Sequence, residues 1–213
     1  MKIRPDWIVF DVGGVLLDWR SSSSYVADTI LGLTRDELFN VLYSFDDPMS
    51  IGERMNQGEI SAREGWDLVF SLLNLPEQYE AVTTNWTAPK FWSTDTLKFV
   101  RELSEAGYKL AIMSNSWLGL DKPDQAQRFP AELQLFDAIF DSSSHGLTKP
   151  NEDFYDYVEK TLGAMGEQLF FIDDDAQNIA VAQGRSWKTF LYNLGEDNTG
   201  IAANIHLRQR LLA

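Results

Sequence analysis

FDVGGVLLD at residues 10–18 and FFIDDDAQN at residues 170–178 decide how this chain folds. Each follows a short apolar run, WIVF before Asp11 and QLFFI before Asp173, with the character of a strand buried on both faces of a parallel sheet. Both runs therefore deliver carboxylates to a strand's carboxyl end, the edge of an open parallel sheet at which ligands bind. Carboxylates crowded there repel one another. A divalent cation would relieve that repulsion and leave one carboxylate for chemistry.

Outward from these two stretches, the chain after Pro89 alternates helix and strand. A helix over 95–106 precedes strand KLAIM (109–113), then AIF (138–140), helix FYDYVEKTL (154–162), strand QLFFI, a short helix over 176–183 and strand KTFLY (188–192). Repeated strand-helix-strand connection predicts an α/β fold built on a doubly wound parallel sheet. Residues 21–87 contain no such strand. Apolar residues there recur at helical spacing, Leu38, Val41, Leu42 and Phe45, then Trp66, Val69, Phe70 and Leu73, which predicts a lobe of four or five helices. Its breaks fall at Gly32, at DDP (46–48), at NQGEIS (56–61) with Ser61 as N-cap, and at Pro76. The four serines at 21–24 read as a flexible entry to the lobe. The domain reading is a core of residues 1–18 and 90–213 with an inserted α-helical cap of residues 19–89.

The 213 residues, 44% of them hydrophobic, suffice for one core of about five or six strands with a small second lobe. A formal charge of −14, with 18 scattered Lys and Arg, argues against nucleic acid or an acidic membrane surface as partner. With no cysteine, disulfides, thiolate metal sites and cysteine nucleophiles are excluded, and a cytoplasmic location is compatible. The apolar run before Asp11 is only four residues long, too short for a signal peptide or a membrane span, so the expectation is a soluble, unprocessed protein.

Four strand ends present chemistry in chain order: Asp11; Ser114 and Asn115 after KLAIM; Lys149 in SSSHGLTKP (142–150) after AIF; and Asp173, Asp174 and Asp175. A carboxylate can attack phosphorus, forming an aspartyl phosphate that water hydrolyses, while hydroxyl, ammonium and backbone N–H groups hold the non-bridging oxygens. One lysine cannot balance four aspartates and a phosphate dianion, so Mg²⁺ is expected. Singly, each group has an ordinary explanation: Asp11 as a turn residue, Ser114 and Asn115 as a strand exit, Lys149 as a loop cation, Asp175 as a helix cap. For Asp175 the ordinary explanation is preferred. For the others, shared placement on one sheet edge favours catalysis.

FDVGGV, MSNS (113–116), GLTKPNEDFY (146–155) and FFIDDDAQNIAVA together resemble the four motifs of the haloacid dehalogenase (HAD) superfamily of phosphohydrolases, with a helical cap after the first. The resemblance covers essentially the whole chain. It implies Asp11 as nucleophile, Ser114, Asn115 and Lys149 as phosphate binders, and Asp174 as the direct Mg²⁺ ligand beside Asp11. It further implies Asp173 as support through water, the Gly13 carbonyl completing the metal shell, and Asn178 steadying the loop. A small phosphate ester is the implied partner.

One position departs from the pattern. The phosphatases of the superfamily carry a second Asp two residues after the nucleophile as general acid and base, and here that residue is Gly13. The loss removes a contribution of about 10²- to 10⁴-fold in rate. An Asp-x-Gly-x-Val motif and the phrase GERMNQGEIS (52–61) resemble the bacterial α-glucose-1-phosphate phosphatase branch. An anomeric oxygen leaves with less protonation, so a hexose 1-phosphate is the expected substrate. The metal-free haloacid dehalogenases fit the aspartate triplet poorly, and a phosphonatase would need a cap lysine, absent between Asp18 and Pro89. A catalytically weak, phosphate-binding regulatory protein is the alternative from another class. Specificity is expected from the loop around Gly58: Gln57 and Glu59 toward sugar hydroxyls, Arg54 toward a second anion, with Asp18 as a partial replacement for the missing acid. Trp19, Trp66 and Trp86 read as packing rather than sugar stacking, and His145 is given no catalytic role.

Overall fold

The computed structural model describes residues 4–43, 50–195 and 199–213; Phe45 and the DDP break lie outside the described residues. The apolar runs form β1 (Trp7–Phe10), β2 (Lys109–Ser114), β3 (Ala138–Asp141), β4 (Leu169–Asp173) and β5 (Lys188–Leu191), all parallel, in the order β3-β2-β1-β4-β5. The strand leading into Asp11 is therefore central. Phe10 pairs in register with Ile112 and with Ile172, so the residues that follow those three emerge level at one edge.

Among the described residues, the insert after β1 holds α1 (Trp19–Tyr25), α2 (Arg35–Leu42), α3 (Ile51–Asn56), α4 (Ala62–Leu72) and α5 (Tyr79–Trp86). The sheet is flanked by α6 (Thr94–Glu105), α7 (Ser142–His145), α8 (Glu152–Leu162), α9 (Ala176–Gly184) and α10 (Ile201–Leu211). Alternation along β1 splits the core into two layers. Ile8 and Phe10 join Ile112, Phe170 and Ile172 under α6 and α10; Val9 joins Ala111, Met113 and Phe171 under α8 and α9. This is the doubly wound α/β architecture that the alternation predicts.

The helical insert has its own apolar cluster, built on Leu38, Met55, Trp66, Val69 and Val82. Local chemistry fixes its ends. Ser61 and Glu64 form a reciprocal capping box at the start of α4, as the sequence predicts for Ser61, and Thr34 and Glu37 do the same for α2. Gly32 stops the helical turn after α1 in the left-handed conformation (φ 69°). Chain entry and exit lie side by side: the Asp18 N–H donates to the Phe91 carbonyl and the Ser93 N–H to the Leu16 carbonyl.

The serines at 21–24 are not a flexible entry. They lie inside α1, with Ser22 and Ser23 fully buried. The Ser22 and Ser23 hydroxyls donate back to the Trp19 and Arg20 carbonyls, and Asp18 caps the helix by accepting from the Ser21 N–H at 3.1 Å. Composition alone reads serines as linker because it ignores such internal bonding. No helix among the described residues is long and apolar enough to cross a membrane.

Trp66 is fully buried at the centre of the insert. Trp66→Ala should cost about 3–5 kcal/mol by the ordinary penalty for truncating a core aromatic, read as a lowered urea midpoint. An unchanged midpoint would show that the insert contributes nothing to the cooperative unit.

Candidate active site

The carboxyl edge of the sheet gathers the acids. Asp11 follows β1 directly, its N–H donating to the Ile172 carbonyl at 2.8 Å, and Asp173 ends β4 beside it. Lys149 reaches both: its Nζ lies 2.9 Å from Asp11 Oδ1 and 2.7 Å from Asp173 Oδ2, with all three side chains buried. Asp173 is further held by the Asp175 N–H (2.7 Å) and by Asn178 Nδ2, 3.1 Å from each carboxylate oxygen. Asn178 thus ties α9 to the end of β4. Asp175 caps α9, accepting from the Gln177 N–H at 2.7 Å.

Asp174 is only half-buried and lies beside Gly14, which has φ of 75°. A Cβ on Gly14 would fall on the Asp174 carboxylate, so glycine is required there twice over. Asp11, Asp173 and Asp174 each offer an oxygen within 4.8 Å of the others. Three carboxylates against one ammonium leave an excess of negative charge. Burial, reinforced by Asp173 and Asp174 and partly offset by Lys149, pushes the Asp11 carboxyl up to about 7. Burial and Asp173 push Asp174 up to about 6. Burial works against the Lys149 ammonium, but Asp11 and Asp173 more than compensate and hold its pKa above the ordinary lysine value. The donor set, hard oxygens with surplus negative charge, fits Mg²⁺.

A cavity of about 450 Å³ opens from this cluster. Asp11, Gly13, Ser114, Asn115, Lys149 and Asp174 line its floor. Asn115 also secures the lysine loop. Its Nδ2 donates to the Lys149 carbonyl and its Oδ1 accepts from the Lys149 N–H, both at 2.8 Å, so the amide clamps the lysine loop.

The four residues expected to set specificity do not line this cavity. Arg54 and Glu59 face each other at 3.8 Å on the surface, and Gln57 ends α3. Asp18 caps α1 and borders a separate cleft on the far side of Trp19. The reason is the docking of the turn. A Cβ on Gly58 would collide with the Ser143 carbonyl, so the turn rests on α7 with its side chains directed elsewhere. Asn56, one residue earlier, lines the cavity, and its carbonyl accepts from the Ser142 hydroxyl at 2.6 Å.

Five aromatic residues, Trp19, Phe39, Tyr43, Trp86 and Trp117, form much of the remaining wall. Trp66 is core packing as expected, whereas Trp19 and Trp86 line the cavity. The Trp19 ring sits where the missing acid would stand: a Cβ on Gly13 would be 3.3 Å from Trp19 Cδ1. Sequence reasoning missed Trp117, whose neighbours are pinned by Asp141. That buried carboxylate ends β3 and accepts from the Leu120 N–H (2.8 Å) and from Ser143, and burial raises its pKa. The position of Trp117, three residues beyond Ser114, was the available signal. His145 packs its ring against Tyr157 and lies outside the cavity.

A parallel sheet with a helical insert and an acid-lysine cluster at its carboxyl edge defines a class of hydrolase. The sequence model of the haloacid dehalogenase-like hydrolase family matches residues 5–184, and the chain belongs to that family. It is 29% identical over 181 residues to the sesquiterpene phosphatase astK of Aspergillus oryzae, covering 82% of this chain and 83% of that protein. It is 24% identical to the D-ribitol-5-phosphate phosphatase of Bacteroides thetaiotaomicron, covering 89% and 93%. It matches mouse bifunctional epoxide hydrolase 2 at 26% identity over 85% of this chain, spanning 35% of that longer protein. In structure it is similar to a HAD family enzyme from Bacteroides thetaiotaomicron in complex with magnesium and inorganic phosphate, with TM-score 0.66, 20% identity and coverage of 92% and 98%.

Because Asp11 and Asp174 titrate above the ordinary aspartate value of 3.8 when folded, the folded chain binds more protons than the unfolded chain between about pH 4 and 7. Stability is fully present below that window and falls as pH rises through it. In EDTA, Tm should therefore drop across the window, and Asp11→Asn should flatten the drop. At about pH 8, just beyond the window, millimolar Mg²⁺ should raise Tm in the wild type more than in the variant. Equal slopes in both chains would contradict the assignment of the excess charge to Asp11.

Proposed function

We propose that this hydrolase is a Mg²⁺-dependent phosphomonoesterase working through an aspartyl phosphate on Asp11. The observation that carries the reading is Asp11 itself: central, almost buried, 2.9 Å from Lys149 Nζ and joined to Asp173 and Asp174 in one oxygen cluster. The phosphatases similar to this chain and the magnesium and phosphate in the Bacteroides structure support it.

An Asp11 carboxylate oxygen attacks phosphorus as the ester P–O bond breaks, and the alkoxide leaves to take a proton from water. Water then attacks the phosphorus of the aspartyl phosphate, releasing inorganic phosphate and restoring the carboxylate. Ser114 and Lys149 hold the non-bridging oxygens through both steps. Asp11, Asp174 and the Gly13 carbonyl would hold Mg²⁺, with Asp173 in support; when bound, the ion neutralises phosphate charge and aligns the phosphoryl group. Residues 1–18 and 90–213 act as the core and residues 19–89 as the cap that shields the reaction from water. A cytoplasmic setting is compatible with the absence of cysteine.

Gly13 favours esters whose alkoxide needs little protonation, of which a hexose 1-phosphate is one. The relatives point to dissimilar alcohols, one a sesquiterpene and one a pentitol. A phosphate-binding regulatory role is the second reading, favoured by Trp19 standing where the acid would be.

Phosphate release from p-nitrophenyl phosphate and sugar phosphates should require Mg²⁺, stop in EDTA and vanish in Asp11→Asn. Tight ester binding without release by the wild type would replace the enzyme with the regulatory reading. Gly13→Asp, whose Cβ alone needs the Trp19 ring to yield by a few tenths of an ångström and whose carboxylate needs the ring to move further aside, should raise kcat on an ordinary alkyl phosphate by about 10-fold or more, the lower part of the general-acid range. Unchanged turnover would show that alkoxide protonation does not limit the reaction.

A further inference from the structure

We propose that the alcohol portion of the substrate is apolar: the chain takes a phosphate monoester of a hydrocarbon or aryl alcohol, seated between Trp19, Phe39, Tyr43, Trp86 and Trp117. This deepens the phosphomonoesterase reading and rests on it.

Two observations carry it. The first is the wall material. Among the described residues, most of what lines the cavity beyond the phosphate floor is ring or aliphatic surface, the exceptions being Asn56, Ser116, Asp175, Asn178 and the Tyr43 hydroxyl. Trp19 and Phe39 stack at 5.8 Å and are only half-buried, so they present ring surface that the fold itself leaves uncovered. Trp86 and Trp117 meet edge to face at 5.3 Å and form a stiff wall.

The second is that the polar groups present are already engaged. The Asn115 amide is tied to the Lys149 backbone on both sides. The Ser116 hydroxyl accepts from the Leu118 N–H at 3.0 Å, Asn56 hydrogen-bonds the Tyr43 hydroxyl, Asn178 serves Asp173, and Asp175 caps α9. A sugar brings several hydroxyls, each of which is costly to bury without a partner. The side chains expected to receive them, Arg54, Gln57 and Glu59, lie outside the cavity. An apolar body asks for no partners and gains from leaving water. At about 450 Å³ the cavity lies within the range of small-molecule sites.

Octyl phosphate and glucose 6-phosphate both release a primary alkoxide, so comparing them isolates polarity from leaving-group quality. With Mg²⁺, kcat/KM for octyl phosphate should exceed that for glucose 6-phosphate by about 10-fold or more, the discrimination an apolar pocket commonly supplies. By calorimetry, the Asp11→Asn chain should bind octyl phosphate about 10-fold more tightly than inorganic phosphate. Adding Phe39→Ala, with folding checked by circular dichroism, should weaken octyl phosphate several-fold while leaving inorganic phosphate unchanged. Turnover that favours the sugar ester, or equal affinity for octyl and inorganic phosphate, overturns the inference and leaves the phosphatase reading intact. Selective octyl phosphate binding without turnover of any ester supports the apolar seat and overturns the phosphatase reading instead.

Discussion

Confinement of three carboxylates around one ammonium is the constraint on which the rest of the structure depends. Asp173 could not remain fully buried without Lys149 at 2.7 Å, Asn178 across both oxygens and the Asp175 N–H. Lys149 in turn keeps its place because Asn115 grips its backbone from the end of the neighbouring strand. Three strands and two loops thus meet in one bonded network, and the level register of β1 with β2 and β4 permits it. Charge that this network leaves unbalanced is what a divalent cation would neutralise.

The same network explains why so much of the site was legible in the sequence. A parallel strand ends where its apolar run ends, so Asp11, Ser114 and Asp173 could be placed on one edge from pattern alone. Lys149 was placed by the same pattern, in the loop after AIF, and Asn178 by the family motif. The insert was another matter. Its helices were visible from spacing and its Ser61 cap from chemistry, but the direction in which its turns face the core depends on docking, which no local pattern encodes. One backbone contact, Gly58 against Ser143, turns Gln57 and Glu59 away and brings Asn56 in. The helix α10 escaped notice because its apolar positions are sparse, Leu207 and Leu211 being fully buried while Ile201 and Ile205 are exposed. The serines at 21–24 misled because their hydroxyls are satisfied within the helix.

Aromatic residues divide their labour in the insert. Trp66 is wholly structural, whereas Trp86 belongs both to the insert's apolar cluster and to the cavity wall. Packing and recognition therefore share side chains, and a substitution in the wall is felt in the stability of the insert as well as at the site. Trp19 illustrates a tighter compromise. Arg35 lies 5.0 Å from its ring and Phe39 stacks beside it, so the indole that fills the acid's place is braced from two sides.

Trp117 belongs by sequence to the loop after β2, yet its ring packs with Trp66 and Trp86 inside the insert. It works as a dowel between two bodies. The insert cannot part from the sheet domain without drawing an indole out of an aromatic nest, exposing apolar surface worth about 1.5–3 kcal/mol per side chain. Ser114 lies three residues upstream on the same segment. The segment that anchors the insert and the strand end that lines the cavity floor are therefore one short stretch of backbone.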